Sequence, residues 1–523
     1  MNPIERIDSA CGRRPLFGVA STRRIEQRSG AGLPPYALMA RAGEAAARLA
    51  LALCPHAAHV RVFAGPGHNG GDGIEAAVRL REFGKDVSVR LVGAEATSPA
   101  LVAEALARAA RAGVTIGPFV ENEEPGSDLP DLVIDALLGI GASRPPEGAM
   151  SDAIGEVARL GGRGTRVLAL DLPSGLDADR GNPFGPACVS AHDTLTFLTL
   201  KPGLFTAAGR DHAGQVWLAG LDAGAVDTEP AQSWLCGIDD PSLRRSDRRH
   251  VQHKGSFGDL AVVGGSAGMA GAAWLAARAA HAAGAGRVFI DMLDPEGASA
   301  ALDPLRPELM LRRGWWQSPV DVLAASTVVC GCGGGDAVRQ ALPRLLSIVP
   351  RLLLDADAIN ALARDRSLQA LAAARRTRGL PTIITPHPLE AARLLGSTAT
   401  EVQADRVAAA ASIADRYGAV VVLKGSGTVI AAPGESPRIS ITGNASLASA
   451  GTGDVLAGWI GGLWASSTDT SGGGASAIDI ATRGMIEHGA AAEPEHAGPM
   501  RAADLVEALY QRWQRPRSRF RSS

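Results

Sequence analysis

The stretch Val60-Arg61-Val62-Phe63-Ala64-Gly65-Pro66-Gly67-His68-Asn69-Gly70-Gly71-Asp72-Gly73 sets a short apolar strand against a loop with five glycines, ahead of a helix expected from near Glu75. Strand, glycine-rich turn and helix in that order make one unit of a parallel sheet covered by helices. In such sheets ligands collect at the carboxyl ends of the strands. The turn formally contains the G-x-G-x-x-G spacing of a dinucleotide site. Its neighbours argue against that use. Asp72 would turn negative charge toward a pyrophosphate, Pro66 occupies the turn, and the acidic residue wanted at the end of the next strand is at best Glu95. The loop reads as a surface that a ligand approaches closely, with Asn69 and Asp72 supplying oxygens and donors. A plain turn capped by Asn69 and Asp72 is the competing reading.

Outward from this unit, short β-branched runs alternate with Ala-rich helical stretches twice over. In the first half Val60 to Ala64, Val87 to Val92, Leu132 to Leu137 and Val167 to Leu170 read as strands, and Leu38 to Leu53 and Leu101 to Ala112 as helices. The second half repeats the pattern with strands near Leu260 to Val263, Arg287 to Ile290, Thr327 to Cys330, Leu352 to Leu354, Thr382 to Thr385 and Val420 to Leu423. Between the halves, Asp222 to Arg249 is rich in Asp, Pro, Ser and Arg and lacks a sustained apolar period. A boundary there predicts two domains, 1–223 and 224–523. The halves share no motif, so they read as a fusion and not as a duplication.

At 523 residues and 46% hydrophobic, the chain has material for several buried cores. A net charge of -2 offers no basic footprint for nucleic acid and no attraction to a membrane surface. Met1 to Arg14 is charged and lacks the apolar core of a signal peptide. Ala261 to Ile290 is the most membrane-like run, but Arg278 and His281 interrupt it, so a buried helix flanked by strands is expected. Six cysteines are scattered along the chain, and only Cys330 and Cys332 are close, with no second pair at metal spacing. That usage predicts reduced thiols and a cytoplasmic location.

Two later strand ends bring carboxylates toward the first glycine-rich loop: Asp135-Ala136-Leu137-Leu138-Gly139-Ile140-Gly141 and Asp171-Leu172-Pro173-Ser174-Gly175-Leu176. Asp135 inside an apolar strand needs a partner or an ion. With Asn69 and Ser174 it offers hard oxygens that suit potassium, although it could equally cap a neighbouring helix. In the second half, Ala450-Gly451-Thr452-Gly453-Asp454 follows the turn Thr442-Gly443-Asn444 and opens an apolar helix from Val455 to Trp464. Its glycines and unpaired helix N–H groups can hold an anion. A carboxylate there repels a resting phosphate, yet it can take a hydroxyl proton as a phosphoryl group arrives. The alternative is a helix cap made by Thr452 or Asp454.

Gly67 to Gly73, Asp135 to Gly139 and Asp171 to Gly175 resemble the three signatures of the NAD(P)H-hydrate epimerases. The second half resembles the ADP-dependent NAD(P)H-hydrate dehydratases of the ribokinase-like superfamily. Its matching segments are His253-Lys254-Gly255-Ser256-Phe257-Gly258, Gly264-Gly265-Ser266, Asp355-Ala356-Asp357-Ala358-Ile359-Asn360, Thr385-Pro386-His387-Pro388, Leu423-Lys424-Gly425 and Gly451-Thr452-Gly453-Asp454. Together they span nearly the whole chain in family order. The resemblance implies an α/β protein of two domains, an N-terminal Rossmann-like three-layer parallel sheet and a C-terminal ribokinase-like α/β domain.

It also implies nucleotide repair. Water added to the C5–C6 double bond of reduced nicotinamide gives R and S hydrates. Epimerases of this kind interconvert them, and the dehydratases act on the S form at the expense of ADP, giving NAD(P)H, AMP and phosphate. In the first half, the resemblance puts His68, Asn69, Gly70, Gly71, Asp72, Gly139, Ile140, Gly141, Ala142, Ser143, Arg144, Pro145 and Asp171 on the hydrate. It puts Asn69, Asp135 and Ser174 on potassium, and Asp171 in the acid/base role. In the second half, Ala272, Gly335, His387 and Asp454 would face the hydrate, with Lys424, Gly425, Ser426, Gly427, Thr428 and Gly453 on a nucleotide accompanied by magnesium. Asp454 would deprotonate the C6 hydroxyl, and the amides of Gly451, Thr452 and Gly453 would steady the transferring charge. The partners expected are small molecules in a homo-oligomer, with no nucleic acid and no membrane.

The chain departs from the family pattern in places. Gly331-Cys332-Gly333-Gly334-Gly335 stands where Gly-Pro-Gly-Leu-Gly is usual, which predicts a looser loop. His68 replaces a common Asn, and Ile74-Glu75-Ala76 lacks the aromatic usual at that helix start. His387 between two prolines also suits a loop histidine, and Lys424 a strand-end surface charge. Three other functions stay open: a sugar or vitamin kinase in the second half, a nicotinamide-dependent oxidoreductase, and a non-enzymatic ligand-binding module in the first half.

Overall fold

The computed structural model describes residues 3–93, 99–121, 129–224, 229–243, 248–294, 302–467, 476–493 and 498–514, so Glu95 and parts of 222–249 lie outside the described residues. The chain forms two units: Met1–Asp8 with Pro15–Ser233, and Ser9–Arg14 with Trp234–Ser523.

In the first unit β1 (Glu5–Ile7), β3 (His59–Ala64), β4 (Asp86–Leu91), β5 (Thr115–Pro118), β6 (Leu132–Ala136), β7 (Arg166–Leu170), β8 (Asp193–Phe197) and β9 (Gln215–Ala219) build one sheet; β2 (Arg14–Leu16) follows β1 in the chain. The order is β1-β9-β8-β7-β6-β3-β4-β5, parallel throughout except for β1 against β9. The helices are α1 (Val19–Gly30), α2 (Ala37–Leu53), α3 (His68–Glu82), α4 (Ala100–Arg111), α5 (Ala149–Gly162) and α6 (Gly209–Ala213). Alternate strand residues face opposite layers. Val62, Ala64, Ile134 and Leu168 pack with α2, α3 and α4, while Phe63, Val133, Val167 and Ala169 pack with α5. The three-layer expectation is met.

Helix α3 starts at His68, not near Glu75, so most of the expected loop is helix. Three glycines in its first six residues disfavour a helix by propensity. Tertiary contact overrides it here. A Cβ on Gly70 would lie 1.9 Å from the Gly65 carbonyl oxygen, one on Gly71 2.4 Å from Met39, and one on Gly73 2.4 Å from Ala136. The glycines let the helix press directly onto the strand ends.

The second unit holds β10 (Ser233–Cys236), β11 (Asp259–Gly264), β12 (Arg287–Met292), β13 (Met310–Leu311), β14 (Ser326–Cys330), β15 (Arg351–Leu354), β16 (Thr382–Ile384), β17 (Val420–Leu423), β18 (Val429–Ala431) and β19 (Arg438–Ser440), in the order β13-β12-β11-β14-β15-β16-β17-β18-β19-β10. Pairing from β13 to β17 is parallel, β18 is antiparallel to both neighbours, and β10 runs parallel to β19. The division of the chain therefore falls at Ser233/Trp234, later than 223/224, because the stretch taken for an aperiodic boundary contains β10. Four residues are too few to display a period.

The helices here are α7 (Ala270–Ala282), α8 (Val320–Ala324), α9 (Val338–Ile348), α10 (Ala356–Arg364), α11 (Arg366–Thr377), α12 (Pro388–Leu395), α13 (Ala399–Ala404), α14 (Arg406–Tyr417), α15 (Thr452–Ser466), α16 (Ala477–Ala491) and α17 (Ala502–Gln514). One face of the sheet, including Leu260, Val262, Ile290, Val329 and Leu353, packs under α7, α15, α16 and α17. Glycines again permit the approach. A Cβ on Gly458 would lie 2.0 Å from the Ala276 carbonyl oxygen, and one on Gly461 2.4 Å from Val329. Residues 261–290 resolve into β11, α7 and β12, and no described helix is long and apolar enough to cross a membrane.

Candidate functional site

Each unit gathers polar groups at the carboxyl ends of its parallel strands. In the first, a cavity of about 770 Å³ is lined by His68, Asn69 and Asp72 from the start of α3, by Gly139 to Pro145 beyond β6, by Asp171 beyond β7, and by Lys201. Gly70 and Gly71 do not line it; they are spent on packing α3 against Gly65 and Met39. Asp171 adopts a left-handed backbone, φ 63°, which costs a non-glycine residue of order 1 kcal/mol or more and marks a constrained position. Its Oδ1 accepts from Lys201 Nζ at 2.6 Å and its Oδ2 from the Ile140 N–H at 3.1 Å. Lys201 is fully buried and completes its donor set with Thr196 Oγ1 and the Phe197 carbonyl, both at 2.8 Å.

Asp135 and Ser174 lie outside the cavity lining and bind each other. Asp135 accepts from Ser174 Oγ at 2.6 Å, the Ser174 N–H at 2.9 Å and the Leu137 N–H at 3.2 Å, so it braces a turn and caps no helix. Burial pushes its carboxyl up to about 6 against the pull of those bonds. The Asn69 amide oxygen and nitrogen are both buried and neither is paired among the described residues, which also removes the turn-cap reading. Asn69 and Asp171 meet at Gly139, where a Cβ would lie 3.3 Å from Asn69 Cβ and 3.0 Å from Asp171 Oδ2. The orphaned Asn69 amide oxygen and the buried Asp135 carboxylate, whose partners among the described residues include no cationic side chain, are oxygen donors of the kind that suits potassium.

In the second unit, Cys332 beyond β14, Asp355 beyond β15, Lys424 beyond β17 and Asp454 in the first turn of α15 converge. The Cys332 sulfur and one oxygen of each carboxylate lie within 4.8 Å of one another. Lys424 Nζ donates to Asp355 Oδ1 at 2.8 Å, and Thr385 Oγ1 to the same oxygen at 2.7 Å. Burial works against the Lys424 charge, but Asp355 and Glu390 outweigh it and hold the ammonium above its usual value. Lys424 is thus an internal ion-pair partner and not a surface charge. Burial, then the charge of Asp355, pushes Asp454 up to about 6. A carboxylate in that range is a far better proton acceptor than an exposed one and is still mostly ionised at neutral pH.

Gly451, with φ 88°, turns the chain into α15. Among the described residues the Gly451 and Gly453 amides have no acceptor, while the Thr452 N–H meets the Ser449 carbonyl at 3.4 Å. The charge cradle expected from three amides rests chiefly on the two glycines. A Cβ on Gly453 would lie 3.4 Å from Lys424 Nζ, so the helix start and the lysine face one space. Thr452 Oγ1 donates to the Leu447 and Ser449 carbonyls, which removes it as a side-chain cap of α15. Gly425 and Gly427 have φ of 133° and 59°, and Thr428 Oγ1 donates to the Gly425 carbonyl, so residues 425–428 form a tight turn beside Lys424.

The 331–335 loop is pinned rather than loose. The Gly331 N–H donates to the Val263 carbonyl, Gly334 to Gly331, and Gly335 to Asp357 Oδ2 at 2.8 Å, with Cys332 fully buried. Ala272 abuts this loop, since a Cβ on Gly333 would lie 3.0 Å from its own. His387 serves as the N-cap of α12, its Nδ1 accepting from the Leu389 and Glu390 N–H groups. Burial and then Lys424 push its imidazole down, while nearly half its side chain stays exposed.

Residues 260–512 match the family model described as NAD(P)H-hydrate dehydratase, and residues 35–203 the model described as YjeF-related protein N-terminus. The bifunctional NAD(P)H-hydrate repair enzyme Nnr of Escherichia coli is 38% identical over 476 residues, covering 88% of this chain and 85% of the relative. The chain belongs to the bifunctional NAD(P)H-hydrate repair enzymes. The family member of the same name from Coxiella burnetii is 36% identical, covering 83% of this chain and 86% of its own. The ADP/ATP-dependent NAD(P)H-hydrate dehydratase of Bacillus subtilis, crystallised with ATP and Mg2+, is 29% identical, with a TM-score of 0.42 over 52% of this chain and 94% of its own.

In this member of the family, three residues at the sites were not foreseen from sequence. Lys201 carried one signal, a lysine closing the strand-like Thr/Leu/Phe run 194–200, where burial demands a partner. Arg406, buried, donates to the Leu423 and Lys424 carbonyls at 3.2 Å each and so fixes the lysine's strand end. His488 lies 2.9 Å through Nε2 from the Thr452 carbonyl, and burial holds its imidazole down to about 4, hence neutral with Nε2–H the donor. Neither left a sequence signal, because each acts through a contact distant in the chain.

Proposed function

We propose that the chain repairs hydrated NADH and NADPH in two steps. The first unit interconverts the R and S hydrates, and the second dehydrates the S hydrate with ADP. The observation that carries the reading is Asp454: a carboxylate pushed up to about 6, set in the first turn of α15 beside two unpaired glycine amides and across from the Lys424–Asp355 pair. A proton acceptor next to donors for a transferring anion is what phosphorylation of a hydroxyl needs.

Asp454 takes the proton of the C6 hydroxyl as its oxygen attacks the terminal phosphorus of ADP. AMP leaves, and the ring nitrogen then expels phosphate from C6 as C5 gives up a proton. Lys424, Gly453 and the 425–428 turn hold the nucleotide; Ala272, Gly335 and His387 bound the hydrate. Magnesium bound with ADP would neutralise phosphate charge during the transfer. In the first unit, Asn69, Asp135 and Ser174 would hold potassium, which supplies a fixed positive charge beside the hydrate, while Asp171 carries the proton. All six cysteines are free, which fits a reducing cytoplasm.

The test is to incubate purified protein with the S hydrate, ADP and magnesium and follow the absorbance of reduced nicotinamide. Its return together with AMP and phosphate is expected. Accumulation of a stable phosphorylated compound without reduced nicotinamide would make the second unit a kinase instead.

A further inference from the structure

Asp72 shares the first unit's cavity with Asp171, but the two carboxyls live in opposite surroundings. Asp171 has both oxygens engaged, by the Lys201 ammonium and the Ile140 N–H. Asp72 accepts no hydrogen bond and makes no ion pair with any described residue, although it lines the cavity from the start of α3. Burial, then the negative charges of Asp171 and Glu26, push the Asp72 carboxyl well above the usual range. A carboxyl with no cationic partner among the described residues and a cation-paired carboxylate thus face one space, the pattern by which two like groups divide acid and base roles.

We propose that Asp72 is a second catalytic residue of the epimerase site, the acid that protonates the departing C6 hydroxyl, while Asp171, positioned by Lys201, is the base for the returning water. The proposal rests on the epimerase reading of this unit. The C6–O bond breaks with its electron pair on oxygen, that oxygen takes the Asp72 proton, and water departs. The lone pair of the ring nitrogen forms the C6–N double bond. Water then adds to the other face of C6, the double-bond pair returns to nitrogen, and the proton lost by the water passes to Asp171. Exchange with solvent restores both carboxyls, so nothing is oxidised or reduced. Around the cavity the remaining charged or titratable side chains are Arg23, Glu26, His68, Arg144, Glu147 and Lys201.

The experiment follows epimerisation of separated hydrates in the intact protein, Asp72→Asn and Asp72→Ala. Because Asp72 breaks no hydrogen bond when replaced, both variants should fold, and dehydration of the S hydrate by the second unit reports that the chain is intact. The turnover number for epimerisation should fall about 10²-fold or more in both, with KM changed less than about threefold. The protonated form is the active one, so the intact protein should lose turnover as pH rises through the Asp72 titration. A small carboxylic acid or imidazole added to Asp72→Ala should restore part of the rate, with a basic limb that tracks the pKa of the added acid. A rise in KM alone, turnover within threefold of the intact protein, or rescue that ignores the pKa of the added acid would each overturn the proposal. Failure of the intact protein to epimerise at all would overturn the epimerase reading itself, and the proposal with it.

Discussion

Asp454 owes its raised carboxyl first to burial and then to the charge of Asp355, which the chain delivers from beyond β15. Replacing it with Asn preserves its size, and hydrate dehydration should fall by about 10²-fold or more while nucleotide binding survives. Its carboxyl, pushed up to about 6, must be ionised to act, so the rate in the intact protein should climb as pH rises through 6 and drop below it. A pH–rate profile of turnover checks both statements; a flat profile from pH 5 to 8 would remove Asp454 as the base. The sequence pointed to Asn69 and Asp171 through short runs of unusual composition just beyond β3 and β7, and to Asp454 through one at the start of α15. His488 and Arg406 left no signal and Lys201 only a weak one, since what makes them matter is a contact with a residue far away in the chain.

At the scale of elements, strand positions were readable from β-branched runs, whereas the start of α3 was not. Propensity counts glycine against a helix, and only the close approach of α3 to Gly65 and Ala136 shows why glycine is needed. The same packing makes a prediction for α15. Gly458→Ala sets a methyl 2.0 Å from the Ala276 carbonyl and should lower stability by about 1–3 kcal/mol, as read by denaturant titration. Gly271→Ala in α7 meets nothing within 4 Å and should instead add about 0.5–1 kcal/mol. The turn after β7 carries another prediction, because it hangs on Asp135 through Ser174. Asp135→Ala should cut epimerisation by about tenfold or more and make the residual rate insensitive to potassium, while dehydration stays unchanged. Equal loss in both reactions would make Asp135 purely structural.

For the whole molecule, the fusion of two α/β halves was legible from the repeated alternation, but the path of the N-terminal segment was not. Ser9–Arg14 belongs with the second unit, where Arg13 grips the buried Asp240 through two bonds of 2.9 Å. Burial works against the Asp240 charge, yet the bonds from Arg13 and Ser242 prevail and hold its carboxyl down to about 2. That depression stabilises the fold above about pH 4 and is lost as pH falls toward 2. A piece beginning at Trp234 lacks Arg13, so it should be less stable than the second unit in the full chain by roughly 3 kcal/mol at neutral pH, the difference shrinking in acid. Thermal unfolding of the two forms at pH 7 and near pH 2 measures it.

The central claim is that one chain supplies and consumes the same hydrate. Its most direct measurement gives the intact protein a mixture of R and S hydrates with ADP and magnesium and follows the reduced-nicotinamide absorbance to completion. Full conversion is predicted, and an Asp171→Ala variant should consume the S portion at the normal rate and then stall at the pace of uncatalysed epimerisation. A variant that finishes as fast as the intact protein would contradict the account.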